Sequence, residues 1–297
     1  MRTCHPPLSI VIPSHRRADL LRLCLTSVAR FAPPRTQVIV VDDGSKDAIV
    51  SHAAADFAGV TVIRREKAGG FCVAANTGIA AATATVVELL NDDAEVTAGW
   101  ADHALPWFAD ARIVAVAPLV LQNDPERLGR GLPPLIDTAG DEYDFGGFAR
   151  KRGSGLSINH HAELQSAGSV FGASGCAAFY RRDALIRAGG FPAHFKAYFE
   201  DVDLSFRLRR LGFEIVYEPG SVVWHRVSGS YGRKPSRRVL EQQSCNEERV
   251  FWRNVRGMAR LRWLPRHAAV LGAKAARRAQ EGTLLPWLLG RVRALLG

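Results

Sequence analysis

Hydrophobic positions along the chain follow two rhythms in alternation. Short, nearly unbroken runs of Val, Ile and Leu at 8–13, 37–42, 60–63, 85–90 and 113–117 have the length and β-branched content of strands buried on both faces. Between them, 19–31, a segment ending at 57, 71–82 and 98–108 carry apolar residues at helical spacing, as with Leu20, Leu23, Cys24, Ser27, Val28 and Phe31 in the first. This alternation predicts an α/β fold, a Rossmann-like, mostly parallel sheet flanked by helices. The pattern dissolves over 122–169, where Gly, Pro and charge dominate. So long a stretch reads as irregular chain with short antiparallel strands, an acceptor-contacting segment or a mobile lid. Order resumes with a strand at 176–180, a helix at 182–188, a helix opening near Glu200, and two late strands at 215–217 and 222–224. Beyond 235 the chain turns helical and basic, with Pro265 expected to break one amphipathic helix and 284–296 forming another.

Composition narrows the possibilities. In 297 residues, 47% are apolar and 23% charged, which is ordinary for a globular protein and excludes disorder. The net charge of +10 is concentrated: from 246 to 297 there are eleven Lys/Arg against three Asp/Glu, so the rest is nearly neutral. Charge confined to one end argues against a nucleic-acid groove across the domain, and no nucleic-acid partner is expected. The basic helices have two readings, a solvated face packed on the domain or an interfacial anchor on anionic lipid. Five scattered cysteines, Cys4, Cys24, Cys72, Cys176 and Cys245, form no Cys-x-x-Cys pair and read as buried free thiols in a reducing compartment. No run of eighteen apolar residues predicts a spanning helix, and residues 1–7 lack the apolar run of a signal peptide.

The acidic residues gather where this fold would put a ligand. In open parallel sheets, ligands lie beyond the carboxyl ends of the strands. Pro13-Ser14-His15, Asp42-Asp43-Gly44-Ser45 and Asn91-Asp92-Asp93 all fall at such ends. A further run, Glu200-Asp201-Val202-Asp203, opens a helix that ends in Arg207, Arg209 and Arg210. Acids at a helix start also cap it and offset its dipole, and Asn and Asp are ordinary turn residues, so each run alone has a purely local explanation. Gathered in one cleft, these carboxylates repel one another unless a cation is present, and a divalent metal with a diphosphate behind it resolves the conflict. The 91–93 turn offers hard oxygen ligands fit for Mg²⁺ or Mn²⁺. His225, after Val222-Val223-Trp224, offers an imidazole, although a lone histidine is also a common structural residue.

Taken in order, several motifs resemble those of the family 2 glycosyltransferases, and most closely the bacterial rhamnosyltransferase-like branch. They are Ile10-Val11-Ile12-Pro13, Val40-Val41-Asp42-Asp43-Gly44-Ser45, Gly69-Gly70-Phe71 with Asn76 and Gly78, Leu89-Leu90-Asn91-Asp92-Asp93, Gly189-Gly190-Phe191, Phe199-Glu200-Asp201-Val202-Asp203-Leu204 and Trp224-His225. The resemblance spans roughly 8–265. It implies the GT-A fold, a nucleotide-diphospho-sugar donor of the dTDP-rhamnose or UDP-hexose type, a divalent cation (Mg²⁺ or Mn²⁺) and inversion at the anomeric carbon. It also implies a polysaccharide or lipid-linked glycan as acceptor. Residue by residue, Asp43 matches the acid that contacts the nucleotide base, with Pro13 and Ser14 lining the same pocket. Asp42, Gly70, Asn76 and Asp92 belong to the same donor-binding motifs. Asp93 matches the metal-binding acid, His225 the late histidine that helps hold metal or diphosphate, and Asp201 the general base.

The chain departs from the family pattern at Asn91, which replaces the first acid of the Asp-x-Asp motif, and at Ser14-His15-Arg16-Arg17, where many relatives have an aromatic and Asn. Arg16 or Arg17 is therefore a candidate for the phosphates, or a solvated helix-start residue. On mechanism, Asp201 suits proton removal, Glu200 would orient Asp201 or the acceptor, and Asp203 reads as a helix cap. The expected organisation is a catalytic domain over 1–235, with a nucleotide-sugar half to about 120 and an acceptor half beyond, then a basic extension over 236–297. The expected location is the cytoplasm, at the inner face of the membrane if the acceptor is lipid-linked. Other readings of the same residues are a nucleotidyltransferase-like enzyme and a non-catalytic glycan- or membrane-binding module. Neither Gly-x-Gly-x-x-Gly nor a Walker sequence is present to support a dehydrogenase or P-loop enzyme.

Overall fold

The computed structural model describes residues 7–157, 161–226 and 235–296; Cys4 and all but the last of the residues read above for a leader lie outside them. In chain order the first elements are β1 (Ser9–Ser14), α1 (Ala18–Phe31), β2 (Gln37–Asp42), α2 (Ile49–Ala55), β3 (Val60–Arg64), α3 (Phe71–Ala81) and β4 (Val86–Leu90). Then come β5 (Ala94–Val96), α4 (Trp100–Ala104), β6 (Ile113–Gln122), α5 (Pro125–Gly129), β7 (Ile136–Thr138), β8 (Asp141–Asp144), β9 (Phe148–Lys151) and β10 (Gly168–Ser169). The last are β11 (Ala177–Arg181), α6 (Arg182–Arg187), α7 (Glu200–Arg210), β12 (Glu214–His225), α8 (Arg237–Asn254), α9 (Gly257–Gln280) and α10 (Leu284–Leu296).

Among the described residues the main sheet runs β10-β12-β6-β11-β4-β1-β2-β3. Pairings β1/β2, β2/β3, β1/β4 and β6/β12 are parallel. Strand β11 is antiparallel to both β4 and β6. One reversed strand between two others restores their common direction, so the C-terminal ends of β1, β2, β4, β6 and β12 share one edge. That edge carries Ser14, Asp42, Asn91, Gln122 and His225.

Every residue of β1 and β4 is buried, as unbroken apolar runs require when both faces of a sheet are covered. The period of two in β1 sends Ile10 and Ile12 to one face and Val11 to the other. Ile10 and Ile12 meet Leu21, Cys24, Leu25 and Val28, the buried stripe of α1. Val11 meets α3, which lies so close that a Cβ on Gly78 would fall on the Val11 side chain. Each fully buried Leu or Ile of these layers contributes about 1.5–3 kcal/mol, which makes the strand-end edge a rigid platform.

Four expectations are corrected. The two late strands are one, β12, with a register irregularity between Glu218 and Val222 that absorbs Pro219, Gly220 and Ser221. The strand starting at Ile113 runs on to Gln122. The helix over 98–108 is the shorter α4 followed by a 3-10 turn that contains Pro106. Pro265 lies inside α9 and does not end it. It sits on the exposed side with Leu261, so the carbonyl it leaves unbonded faces water. The stretch over 122–169 is more ordered than its composition suggests: β7 joins the sheet at β6, and β8–β9 form a separate hairpin. Tyr143 of that hairpin packs on Phe206 of α7 at 4.6 Å, and Phe145 stacks on Trp263 of α9 at 5.7 Å. The four described cysteines are buried and unpaired. Among the described residues no helix is long and apolar enough to cross a membrane.

Candidate active site

The register of β5 brings together residues far apart in sequence. After Asn91-Asp92-Asp93 the chain turns back into β5, whose Ala94 pairs with His225 of β12. The Arg226 N–H donates to the Asp93 carbonyl at 2.8 Å, closing the turn against the end of β12. Asp93 Oδ1 then lies 3.1 Å from His225 Nε2. The other ring nitrogen is 3.0 Å from Asp137 Oδ2, and that same oxygen accepts from Lys151 Nζ at 2.8 Å. Burial works against charge on His225, but the Cys176 sulfur beside it and the carboxylates of Asp137 and Asp93 outweigh it, and its pKa is raised well above the usual value. Asp137 is buried too, yet His225 and Lys151 hold its carboxyl down at about 2.

The neighbouring Asp92 accepts from Ser14 Oγ at 2.7 Å. Burial lifts its pKa to about 6, against the pull of Arg17 and Ser14. Arg17 Nη1 lies 2.6 Å from Asp93 Oδ2 and 3.3 Å from Asp92 Oδ1. On losing its proton, His225 would offer its Nε2 lone pair beside Asp93 Oδ1, with Asp137 fixing the imidazole from behind. This donor set would suit a divalent cation. Among the described residues, no group of three or more His, Cys, Asp or Glu side chains could hold an ion alone.

A second acidic cluster adjoins the first. Gly175 N–H donates to Asp201 Oδ2 at 2.9 Å, and the carbonyl of the next residue, Cys176, accepts from Asn91 N–H at 2.8 Å. The opening of α7 and the 91–93 turn therefore flank the same two-residue span. Asp201 Oδ1 accepts from Val202 N–H at 2.8 Å. Burial, and after it the charge of Asp201, raise the pKa of both Glu200 and Asp141 well above the carboxylate range. Glu200 Oε2 and Asp141 Oδ2 are buried with no hydrogen-bond partner. A carboxyl whose pKa is raised in this way can keep its proton and donate a hydrogen bond.

The loop before α7 is held in an unusual shape. Lys196, Tyr198 and Phe199 all have positive φ, at 60°, 74° and 65°. Such strain persists only when the surroundings over-determine it. Buried Asn246 of α8 supplies part of that constraint, its Nδ2 reaching the carbonyls of Phe195, Ala197 and Tyr198 at 2.8–2.9 Å. The Lys196 carbonyl accepts from Cys72 N–H at 3.0 Å, and the Lys196 backbone lies where a larger side chain at Gly70 would crowd it. Gly70, at φ 89°, thus serves the close approach of two loops.

Other residues singled out from the sequence have bracing roles here. Asp43 accepts from Gly69 N–H, Gly70 N–H and Arg65 Nε at 2.8–3.0 Å, fixing the entry to α3. Asp42 is fully buried and accepts from Ser45 N–H and Ser51 Oγ. Asn76 exchanges two hydrogen bonds with the Phe191 backbone, both 2.8 Å, locking the Gly189-Gly190-Phe191 turn. Pro13 and Ser14 end β1 beside these groups, and Arg16, at φ 63°, forms the turn into α1. Asp203 is structural as expected, but it does not cap α7. Its carboxylate, wholly buried, accepts from Arg207, Arg253 and Asn254 at 2.8–3.2 Å and ties α7 to α8. Asp137, Asp141 and Lys151 were invisible in the sequence pattern, because their stretch is ordered by long-range pairing and the aromatic cluster.

A sequence model described as glycosyl transferase family 2 matches residues 9–189. The pre-mycofactocin glycosyltransferase of Mycobacterium tuberculosis is 30% identical over 227 residues, which is 74% of this chain and 43% of that protein. The chain thus spans less than half the length of that relative. The N-acetylglucosaminyl-diphospho-decaprenol L-rhamnosyltransferase of the same organism is 25% identical over 284 residues, covering 89% of this chain and 91% of the relative. Among solved structures, a Pyrobaculum calidifontis mannosyltransferase in complex with GDP-Man and Mn²⁺ superposes with a TM-score of 0.62. It is 19% identical, with 99% of this chain and 88% of that one covered. GalNAc-T7 with UDP, GalNAc and Mn²⁺ gives the same TM-score and identity over 84% of this chain and 48% of its own.

Proposed function

The chain belongs to glycosyl transferase family 2 and has the GT-A fold, and from that premise we propose that it is an inverting, metal-dependent enzyme. It moves a sugar from a nucleotide-diphospho-sugar to a hydroxyl of a glycan acceptor. The observation that carries this reading is the juxtaposition of Asp93 and His225 with Asp201 across the Gly175-Cys176 span. Asp201 takes the proton of the acceptor hydroxyl as its oxygen bonds to the anomeric carbon, while the bond from that carbon to the diphosphate breaks and the diphosphate leaves with the electron pair. Glu200 and Asp141, uncharged, do not compete for that proton and are placed to hydrogen-bond the acceptor. Asp93 and His225 would hold the divalent cation, with Asp137 orienting the imidazole. Bound there, a divalent cation supplies Lewis-acid stabilisation of the leaving diphosphate. Asp43, through Gly69 and Gly70, shapes the nucleotide side.

The donor is of the dTDP-rhamnose or UDP-hexose type and the acceptor a polysaccharide or lipid-linked glycan, readings supported by the relative whose name carries both a rhamnosyl transfer and a decaprenol-linked diphosphate. A lipid-linked acceptor also accounts for the 236–297 extension. The outward face of α10 is a stripe of exposed Leu285, Leu288, Leu289, Val292, Leu295 and Leu296. Arg266, Lys274, Arg277, Arg278, Arg291 and Arg293 each have an acidic partner within the chain, so this contact rests on the apolar stripe more than on charge. Thermal-shift screening of nucleotide sugars with Mn²⁺, followed by release of the matching nucleoside diphosphate, tests the activity. Stabilisation by none of a panel of UDP-, dTDP- and GDP-sugars would overturn it. Sedimentation with anionic vesicles tests the stripe: binding should survive high salt and fall in Leu288→Glu, and a protein indifferent to vesicles would sink the membrane reading.

A further inference from the structure

The arginine that closes the turn into α1 stands where the proposed cation must bind. Its guanidinium bridges both acids of the 91–93 turn, 2.6 Å from Asp93 Oδ2 and 3.3 Å from Asp92 Oδ1. Asp93 is therefore engaged on both oxygens, by Arg17 on one and His225 on the other. The two carboxylates are nearly buried, whereas the Arg17 side chain is 45% exposed and reaches in from the solvent side. Arg17 follows Arg16, at φ 63°, and has itself φ −115° and ψ 49°, so the side chain is anchored at the non-helical entry of α1. Its anchor thus stays beside the cluster when its head group leaves.

A divalent ion and the guanidinium would compete for the same oxygen, Asp93 Oδ2, where Arg17 Nη1 sits at 2.6 Å. A divalent ion at Asp93 must displace the guanidinium, and the displaced group remains tethered within reach of a diphosphate brought by that ion. Arginine is suited to both positions, since its planar fork pairs equally with carboxylate and phosphate. We propose that Arg17 and the divalent cation exchange at Asp93, the arginine passing to the diphosphate of the donor. The exchange makes Arg17 an internal stand-in that suppresses metal binding by the nucleotide-free protein and couples metal to nucleotide. This rests on the assignment of Asp93 as a metal ligand.

The test is Mn²⁺ binding, followed by the paramagnetic resonance of the free ion, to the full chain and to Arg17→Gln. The variant should bind Mn²⁺ alone about 2- to 5-fold more tightly than wild type, the scale expected from a partly exposed ion pair. In wild type, UDP, dTDP or GDP should tighten Mn²⁺ binding, and in Arg17→Gln that gain should shrink by a similar factor. Arg17→Lys, which keeps the charge but not the fork, should fall between. Equal or weaker Mn²⁺ binding by Arg17→Gln overturns the exchange. Wild-type Mn²⁺ binding that responds to none of the three diphosphates, or a gain unchanged in the variant, overturns the passage to the diphosphate. Asp93→Ala separates the two levels of the argument. If it still binds Mn²⁺ as wild type does, the site assignment fails, whereas loss of binding there with no gain in Arg17→Gln leaves the site standing and refutes the exchange alone.

Discussion

Asp201→Asn separates a catalytic carboxylate from a well-placed helix start. The aspartate accepts from Gly175 N–H at 2.9 Å through one oxygen and from Val202 N–H at 2.8 Å through the other. Asparagine keeps one carbonyl oxygen, so one of these bonds survives and the other is lost, at a cost of about 1 kcal/mol. Against a stability of about 5–15 kcal/mol the fold tolerates this, and the Asp93–His225 pair is untouched. The chemistry does not tolerate it, because the amide cannot accept the hydroxyl proton. Loss of a positioned base lowers turnover by about 10²- to 10⁴-fold, or roughly 3–5 kcal/mol of barrier. The expected signature is a kcat reduced by at least about 10² with the affinity for nucleotide sugar and Mn²⁺ changed less than about 5-fold. Calorimetric titration and single-turnover transfer measure the two quantities on one preparation. Transfer at the wild-type rate would remove Asp201 from the mechanism, and parallel loss of binding and turnover would make it a structural residue.

Asp137→Asn, by loosening the imidazole of His225, should weaken Mn²⁺ binding about 10- to 100-fold while leaving the unfolding temperature within a few degrees, and an unchanged Mn²⁺ titration would refute the orienting role. Asn246→Ala removes the side chain that holds the carbonyls of Phe195, Ala197 and Tyr198, so kcat should drop while circular dichroism stays native; full activity would mean that the strained loop is fixed by other contacts. Glu88 of β4 predicts a pH dependence. Burial lifts its pKa from 4.5 to about 8, against the hydrogen bond from Trp100 Nε1. Between those values the folded chain holds a proton that the unfolded chain has released, so stability falls as pH rises from about 4.5 to 8. The total is on the order of 5 kcal/mol. In Glu88→Gln this contribution vanishes, and urea unfolding from pH 5 to 9 should show the variant gaining on wild type through that window; parallel pH profiles would refute it.

The elements of the first half were legible because each is specified locally. In β1, Ser-Ile-Val-Ile-Pro-Ser is buried throughout, and in α1 Leu21, Cys24, Leu25 and Val28 make one stripe, so residue order alone fixes which faces meet. Asp93, His225 and Asp201 were legible as candidates through the strand-end rule and the family motifs. Asp137, Asp141 and Lys151 were not, since short strands ordered by distant partners leave no period to read. Asp43, Asp42 and Asn76 stand in motifs that are plain in the sequence, whereas the turn-bracing hydrogen bonds they make are visible only in the structure.

The sequence by itself determined the alternation of strands and helices and the residue types gathered at the strand ends, because periodicity and turn chemistry act over a few residues. Only the tertiary structure decided which of those carboxylates meet. The reversal at β11 carries β12 to the same edge, the β5 register sets Asp93 against His225, and Gly175-Cys176 links that pair to Asp201. Packing also decided protonation. Burial depends on everything folded around a group, so the carboxyl of Glu200, an acid by composition, is pushed well above the usual carboxylate range beside Asp201.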